Sequence, residues 1–509
     1  MVGNPPYGAA LSSIERDYIW RKYLTGKDYK DTALQFMELS DRLTNPNGRC
    51  GLIVPKPLTF SQRWKVGRHF LDKKLDYVVD VSRAFEDVLL EQVICVWSRK
   101  RLHSEYYRTS SFVEGYLGEL IRVSTEYSKL SDTLIIGPSR EELRVFRKMI
   151  SPGISLGDVS TTMRGLPFQR YLENEGDYPV FRGDHIGRFQ LFETDEFLGE
   201  ERIDLDKDKV RMLLRPKIIS QRIVAHVSTP SDHIIIMSTV DPEGRLTVDT
   251  VENTILKNDK YSLYFICSLL NSKLISWFAY LFIFSKAIRT MDFDNYYVSK
   301  IPLPSVRFDA LTSNQREVLR NIEDLCEKKS WGEVLDLAEE VRRAWQRQQD
   351  EARKNPRITH DILAYLGKSM VEMNRQRQNQ TESFFTDLEG IVDEKIFKSL
   401  QKGKQGRSLY KRKSCRAYVE KGSYTTYQLD AALTWSHKAF KDFVKLLARK
   451  VPNLSDIMSV YDKYHPELKE LQERIDKTDE LIDQIVYRLY GLTDEEIRIV
   501  EESFGRRGE

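Results

Sequence analysis

The chemistry legible in this chain starts at Asn4-Pro5-Pro6-Tyr7. At ordinary residue frequencies, a fixed tetrapeptide of this kind arises by chance in roughly one in several hundred chains of this length. Two prolines fix the backbone and remove two N–H donors, leaving a rigid edge that presents carbonyl oxygens. The Asn4 side-chain oxygen and the Pro5 carbonyl can then both accept hydrogen bonds from one exocyclic amino group. Tyr7 supplies a flat face on which a purine can stack. The competing reading is a proline-rich turn without a chemical role. Elsewhere the signals are bland. His185, His226 and His233 read as structural or surface groups, because no carboxylate or thiol partner is evident beside them. Five scattered cysteines (Cys50, Cys95, Cys267, Cys326, Cys415) show no paired spacing, which argues against a disulfide scaffold or a metal site and for a reducing cytoplasm.

The elements that must position the tetrapeptide alternate between helix and strand. Leu34, Phe36, Met37, Leu39 and Leu43 form a helical stripe within Asp31–Leu43, and Asn45-Pro46-Asn47-Gly48 stops it. Cys50–Val54 is a short, mostly apolar run, as expected for a strand buried on both faces. Leu75–Val81 and Gln92–Trp97 are two further strands, so an α/β sheet is expected. Residues 104–136 are polar and weakly periodic and read as a linker. From about Gly137 the texture turns to short strands and turns, predicting a separate module over 137–305. The apolar stretch Leu263–Phe284 is interrupted by Asn271, Ser272, Lys273 and Ser276, too polar for a spanning helix, and reads as buried. Residues 306–509 are rich in Glu, Lys, Arg, Gln and Leu at helical spacing. Within them, seven basic and no acidic residues lie between Lys402 and Arg416, either a solvated loop or a phosphate-contacting patch. With 79 Lys+Arg against 76 Asp+Glu, the net charge of +3 excludes a polybasic whole-molecule binder of nucleic acid but not a local basic face.

Asn4-Pro5-Pro6-Tyr7, flanked by Gly3 and Gly8, resembles the catalytic motif of DNA adenine-N6 methyltransferases of restriction–modification systems. Phe36-Met37-Glu38-Leu39 and then Asn47-Gly48-Arg49-Cys50-Gly51-Leu52-Ile53-Val54-Pro55 are similar to the helix, turn and strand that follow it. Arg83–Val88 and Val93–Val96 resemble a later motif, whose aromatic residue would be Phe85. Pro179–Asp184, Arg215–Ile219, Leu269–Trp277 and the ending Ile475–Asp483 to Tyr490–Thr493 resemble a TaqI-like target-recognition domain and its C-terminal helices. Residues 326–460 match nothing and read as an insertion.

The resemblance implies an α/β fold: a partial Rossmann-like methyltransferase sheet over residues 1–103, an α+β target-recognition domain over 137–305, and a helical C-terminal region over 306–509. It implies methyl transfer from S-adenosylmethionine to N6 of an adenine flipped out of double-stranded DNA. Asn4, Pro5, Pro6 and Tyr7 would be catalytic, and Phe85 would hold the ring. Arg164, Arg182, Lys217 and Arg222 would contact DNA, as bases or as phosphate. No metal is implied. The family's Phe-x-Gly-x-Gly cofactor turn finds no room before Asn4. Phe181–Gly187 has the wrong spacing, and Gly403 and Gly406 follow no apolar strand. Cofactor-binding residues are therefore unassigned, and a separate polypeptide carrying that half is one expectation. A non-catalytic DNA-binding specificity subunit or an inactive truncated remnant is the alternative.

Overall fold

In the computed structural model the chain is described except for residues 27–30, 83–89, 101–104, 114, 230, 290, most of 329–355 and 402–428, 448–452 and 506–509. Phe85, the basic run and Cys415 lie outside the described residues, and so does the side chain of Cys326.

Strand β1 (Val2–Gly3) carries the tetrapeptide at its carboxyl end. It pairs in parallel with β2 (Arg49–Pro55), Val2 opposite Gly51 and Gly3 opposite Leu52. Helix α1 (Thr32–Leu43) connects them, and α2 (Lys65–Leu71) leads to β3 (Leu75–Ser82). Strand β4 (Gln92–Ser98) inserts antiparallel between β2 and β3, so the sheet is mixed.

Burial alternates with period two. Cys50, Leu52, Val54, Val78, Val93 and Cys95 are buried, whereas Gly51, Ile53, Val79, Ile94 and Val96 are half-buried. The expectation of a strand sealed on both faces is thus corrected. Apolar side chains occupy both faces of β2, but the described elements close only one completely. On that face α1 and α2 approach closely: a Cβ on Gly67 would lie 2.4 Å from the Leu34 side chain. Glycine is what permits the contact.

Residues 104–136 are not a linker. Tyr106–Val113 forms β5, parallel to β3, and Ile121–Ser124 forms β6, antiparallel to β5. The polarity that masked them in the sequence is that of edge strands, where one face is wet. The strand order is β1-β2-β4-β3-β5, with β6 beyond β5. Helix α3 (Arg140–Ile150) follows.

The next module is built on a four-stranded antiparallel sheet, in which β7 (Ser160–Arg164), β8 (Lys217–Gln221), β9 (Ser238–Asp241) and β10 (Val251–Leu256) are ordered β9-β8-β10-β7. The apolar stretch after it breaks at Ser272 into α4 (Leu263–Asn271) and α5 (Lys273–Phe278), bent by 60° and packed in the core. No single described helix is long and apolar enough to cross a membrane. Two long helices, α6 (Pro356–Glu389) and α7 (Leu454–Leu489), pack along each other. Beyond them a second apolar cluster, including Phe384, Phe440, Phe443 and Tyr461, forms a core separate from the main one.

The first sheet and the module are locked by a buried charge cluster. Lys56 Nζ lies 2.9 Å from Asp80, 3.0 Å from Glu91 and 2.8 Å from the Lys286 carbonyl. Glu91 also accepts the Ile288 N–H, and Lys286 Nζ reaches the Gly137 carbonyl at 2.6 Å. Ser285 and Lys286 both have positive φ, 49° and 56°, so the turn is held in a strained conformation by these bonds.

Candidate functional site

The tetrapeptide loop leaves β1 at the carboxyl ends of the parallel strands, where open α/β sheets bind ligands. Asn4 is exposed, Pro5 buried and Tyr7 half-buried. The Tyr7 hydroxyl donates to Asn4 Oδ1 at 2.5 Å and lies 3.3 Å from the Ile53 carbonyl. Burial raises the Tyr7 pKa, so the hydroxyl stays protonated and a donor at neutral pH. Asn4 Oδ1 keeps a second lone pair, and among the described residues no group donates to the Pro5 carbonyl. Asn4 Oδ1 and the Pro5 carbonyl, on consecutive residues, thus retain acceptor capacity within three positions of the Tyr7 ring.

The amino end of α1 holds the loop. Thr32 Oγ1 donates to the Pro6 carbonyl at 2.7 Å. Asp31 caps α1 through the Ala33 N–H at 3.0 Å and also takes the Gly8 N–H. Burial raises the Asp31 pKa, against the lowering by those two N–H groups. Gly8 sits at φ +60°, a left-handed turn that a side chain would strain. Asp31 and Thr32 were missed as site residues. Their signal was present as an N-cap before an apolar stripe, but what an N-cap reaches outside its helix is not written locally.

The four cationic candidates separate. Arg164 is 46% exposed and bound to Asp249, with Nη2–Oδ2 at 2.7 Å and Nε on the carbonyl at 2.7 Å. Arg182 is 34% exposed and paired with Glu196 at 2.5 Å. Arg222 is 27% exposed, 3.4 Å from Asp292 and 3.8 Å from Glu252. Burial first, then Asp294, pushes the Glu252 carboxyl up to about 7. Lys217, by contrast, is wholly buried. Its Nζ binds Asp241 at 2.6 Å and the Arg245 carbonyl at 2.8 Å. The expectation that Lys217 contacts DNA is corrected: β8 is one of the sheet's two inner strands, and the ammonium serves as the internal counter-charge of Asp241. His226 does have a carboxylate partner, Asp232 at 2.9 Å.

Among the described residues no group of three His, Cys, Asp or Glu could hold a metal ion. Nor does any glycine-rich turn after an apolar strand stand beside Asn4 to cradle a nucleoside cofactor.

Residues 1–85 match the family described as Eco57I restriction-modification methylase, and residues 178–303 match the TaqI-like C-terminal specificity domain. These two matches, in this order, are the families that the tetrapeptide and the later segments resemble, and the resemblance is borne out at that level. The tetrapeptide loop lies in the first match. Arg182 and Arg222 lie in the second, and Arg164 precedes it.

Three solved structures are similar. The type IIG restriction endonuclease BpuSI is 13% identical, with TM-score 0.27, over 62% of this chain and 48% of that one. The ATP-dependent Type ISP restriction-modification enzyme LlaBIII bound to DNA is 11% identical, with TM-score 0.29, over 64% and 29%. The DrdV–DNA complex is 9% identical, with TM-score 0.30, over 98% and 56%. The chain thus spans less than two thirds of the length of each. No curated protein matches.

Proposed function

We propose that this chain supplies the acceptor site and target recognition of a site-specific, S-adenosylmethionine-dependent DNA adenine-N6 methyltransferase in a restriction–modification system. The observation that carries the reading is the loop itself: the Tyr7 hydroxyl bonded to Asn4 Oδ1, and the turn braced by Thr32 on the Pro6 carbonyl and by Asp31 on the Gly8 N–H. A flipped adenine would give its N6 hydrogens to the two acceptors, aligning the nitrogen lone pair away from them. Tyr7 would stack on the ring. S-adenosylmethionine supplies an activated methyl group when bound, so the chain's contribution is to position and polarise the acceptor. Arg164, Arg182 and Arg222, each held by a carboxylate, would read or grip DNA with their remaining donors.

In this reading a partner polypeptide would supply the donor site. The test is transfer of a labelled methyl group from S-adenosylmethionine to unmethylated duplex DNA, with the product nucleoside identified. N6-methyladenine, from this chain alone or with its partner, is the expected product, and Asn4→Ala should abolish it. DNA binding without transfer under either condition would favour the non-catalytic specificity subunit. Methylation of cytosine would overturn the adenine assignment.

A further inference from the structure

Arginines gather at the edge of the central sheet opposite β1, outside both matched segments. Arg108 on β5 and Arg122 on β6 stand directly opposite each other in the antiparallel register. Both lie over Tyr106, Arg122 at 4.5 Å and Arg108 at 5.7 Å from the ring centroid. Across a cleft of about 570 Å³, α3 presents Arg140, Arg144 and Arg147 to Arg122. Arg147 in turn lies 5.7 Å from the Tyr127 ring. Two of the five are neutralised, Arg140 by Glu119 at 2.6 Å and Arg144 by Glu141 at 3.6 Å. Among the described residues no carboxylate pairs with Arg108, Arg122 or Arg147.

Like charges facing each other across a strand pair destabilise it unless something neutralises them. The guanidiniums are also laid on aromatic rings, which holds them in place before any ligand arrives. Their planar forks match phosphate oxygens. A mononucleotide would want a free aromatic face, but Tyr106 and Tyr127 already carry guanidinium groups. A phosphodiester backbone asks only for a row of cations.

The geometry points to a phosphate-binding cleft on this sheet edge that takes the backbone of duplex DNA flanking the recognised site, gripped by Arg122 and Arg147 with Arg108 behind them. The inference rests on DNA being the substrate, as proposed above. It extends DNA contact to a segment that the sequence presents as a plain connection.

The experiment is a titration of the full chain with duplex DNA at several salt concentrations, comparing wild type with Arg122→Gln/Arg147→Gln and with Glu119→Gln. Each lost phosphate contact flattens the slope of log K against log salt by about 0.9, so the double variant should lose about 2 and bind roughly tenfold more weakly. Glu119→Gln, which frees Arg140, should bind more tightly and more salt-sensitively. Because both variants alter exposed side chains, a thermal melt checks that each remains folded. Unchanged slopes, with wild type still binding DNA, would overturn the cleft and leave the proposed function standing. No DNA binding by wild type would overturn both. Saturable binding of inorganic pyrophosphate that the double variant loses, with DNA slopes unchanged, would reassign the cleft to a small phosphate ligand and overturn the DNA occupant.

Discussion

In the proposed function Tyr7 would have two separable tasks, and substitutions divide them. Tyr7→Phe keeps the ring and removes the hydroxyl bond to Asn4, worth about 1 kcal/mol. Methyl transfer should fall roughly tenfold, whereas Tyr7→Ala should abolish it, with DNA affinity kept in both. Equal loss in the two variants would show that the hydroxyl, not the ring, does the chemistry. Lys217 makes the opposite case. Lys217→Met leaves the buried Asp241 with backbone N–H donors and with Arg245 at 3.3 Å, but without its buried ammonium partner, and should destabilise the fold by about 3 kcal/mol in denaturant titration. Wild-type stability with weakened DNA binding would restore Lys217 as a contact. Glu252 gives a pH signature. Its folded pKa, about 7, lies above its ordinary value, so the folded state holds the proton more tightly. The stability it contributes is full below about pH 4.5 and is lost as pH rises towards 7. Glu252→Gln should flatten that decline, and an unaltered pH profile of the unfolding midpoint would count against it.

At the scale of elements, the loop depends on α1. Asp31→Ala removes the cap and the Gly8 anchor together, a loss of about 1–2 kcal/mol in loop order. It should lower the rate of methyl transfer about tenfold and leave DNA Kd unaltered. A fall in DNA affinity with an unchanged rate would move Asp31 from positioning the acceptor to binding DNA. The strands of this region were legible in the sequence, because a short apolar run is a local property: Cys50–Val54, Leu75–Val81 and Gln92–Trp97 lie within β2, β3 and β4. Strand β5 was not, because Tyr106-Tyr107-Arg108-Thr109-Ser110-Ser111 has little apolar content to alternate. Pairing with β3 on one side and β6 on the other makes it a strand. The tetrapeptide was legible for another reason. Prolines and an aromatic in fixed order constrain the backbone whatever surrounds them.

For the whole molecule, the informative contacts span long distances in sequence. Lys56 and Lys286 are 230 positions apart, and their bond ties the first sheet to the module that follows it. The helical region carries its own apolar cluster at the far ends of α6 and α7, with little shared with the main core. Hydrogen exchange should therefore find Phe440, Phe443 and Tyr461 opening at lower free energy than Leu52, Val78 and Val93. Uniform protection across both groups would indicate a single cooperative unit.

What the sequence determined by itself is the set of features that live within a few residues: the Asn4–Tyr7 loop, the strands around it, the broken apolar stretch before Pro302, and the helical texture of the last two hundred or so residues. What only the tertiary structure decided is the role of each charge. Arginine and lysine look alike along the chain, yet Lys217 is enclosed with Asp241 while Arg122 and Arg147 face an open cleft. The physical reason is that a charge takes its function from its distance to water and to the nearest opposite charge. Both are settled by packing between segments that the sequence keeps far apart.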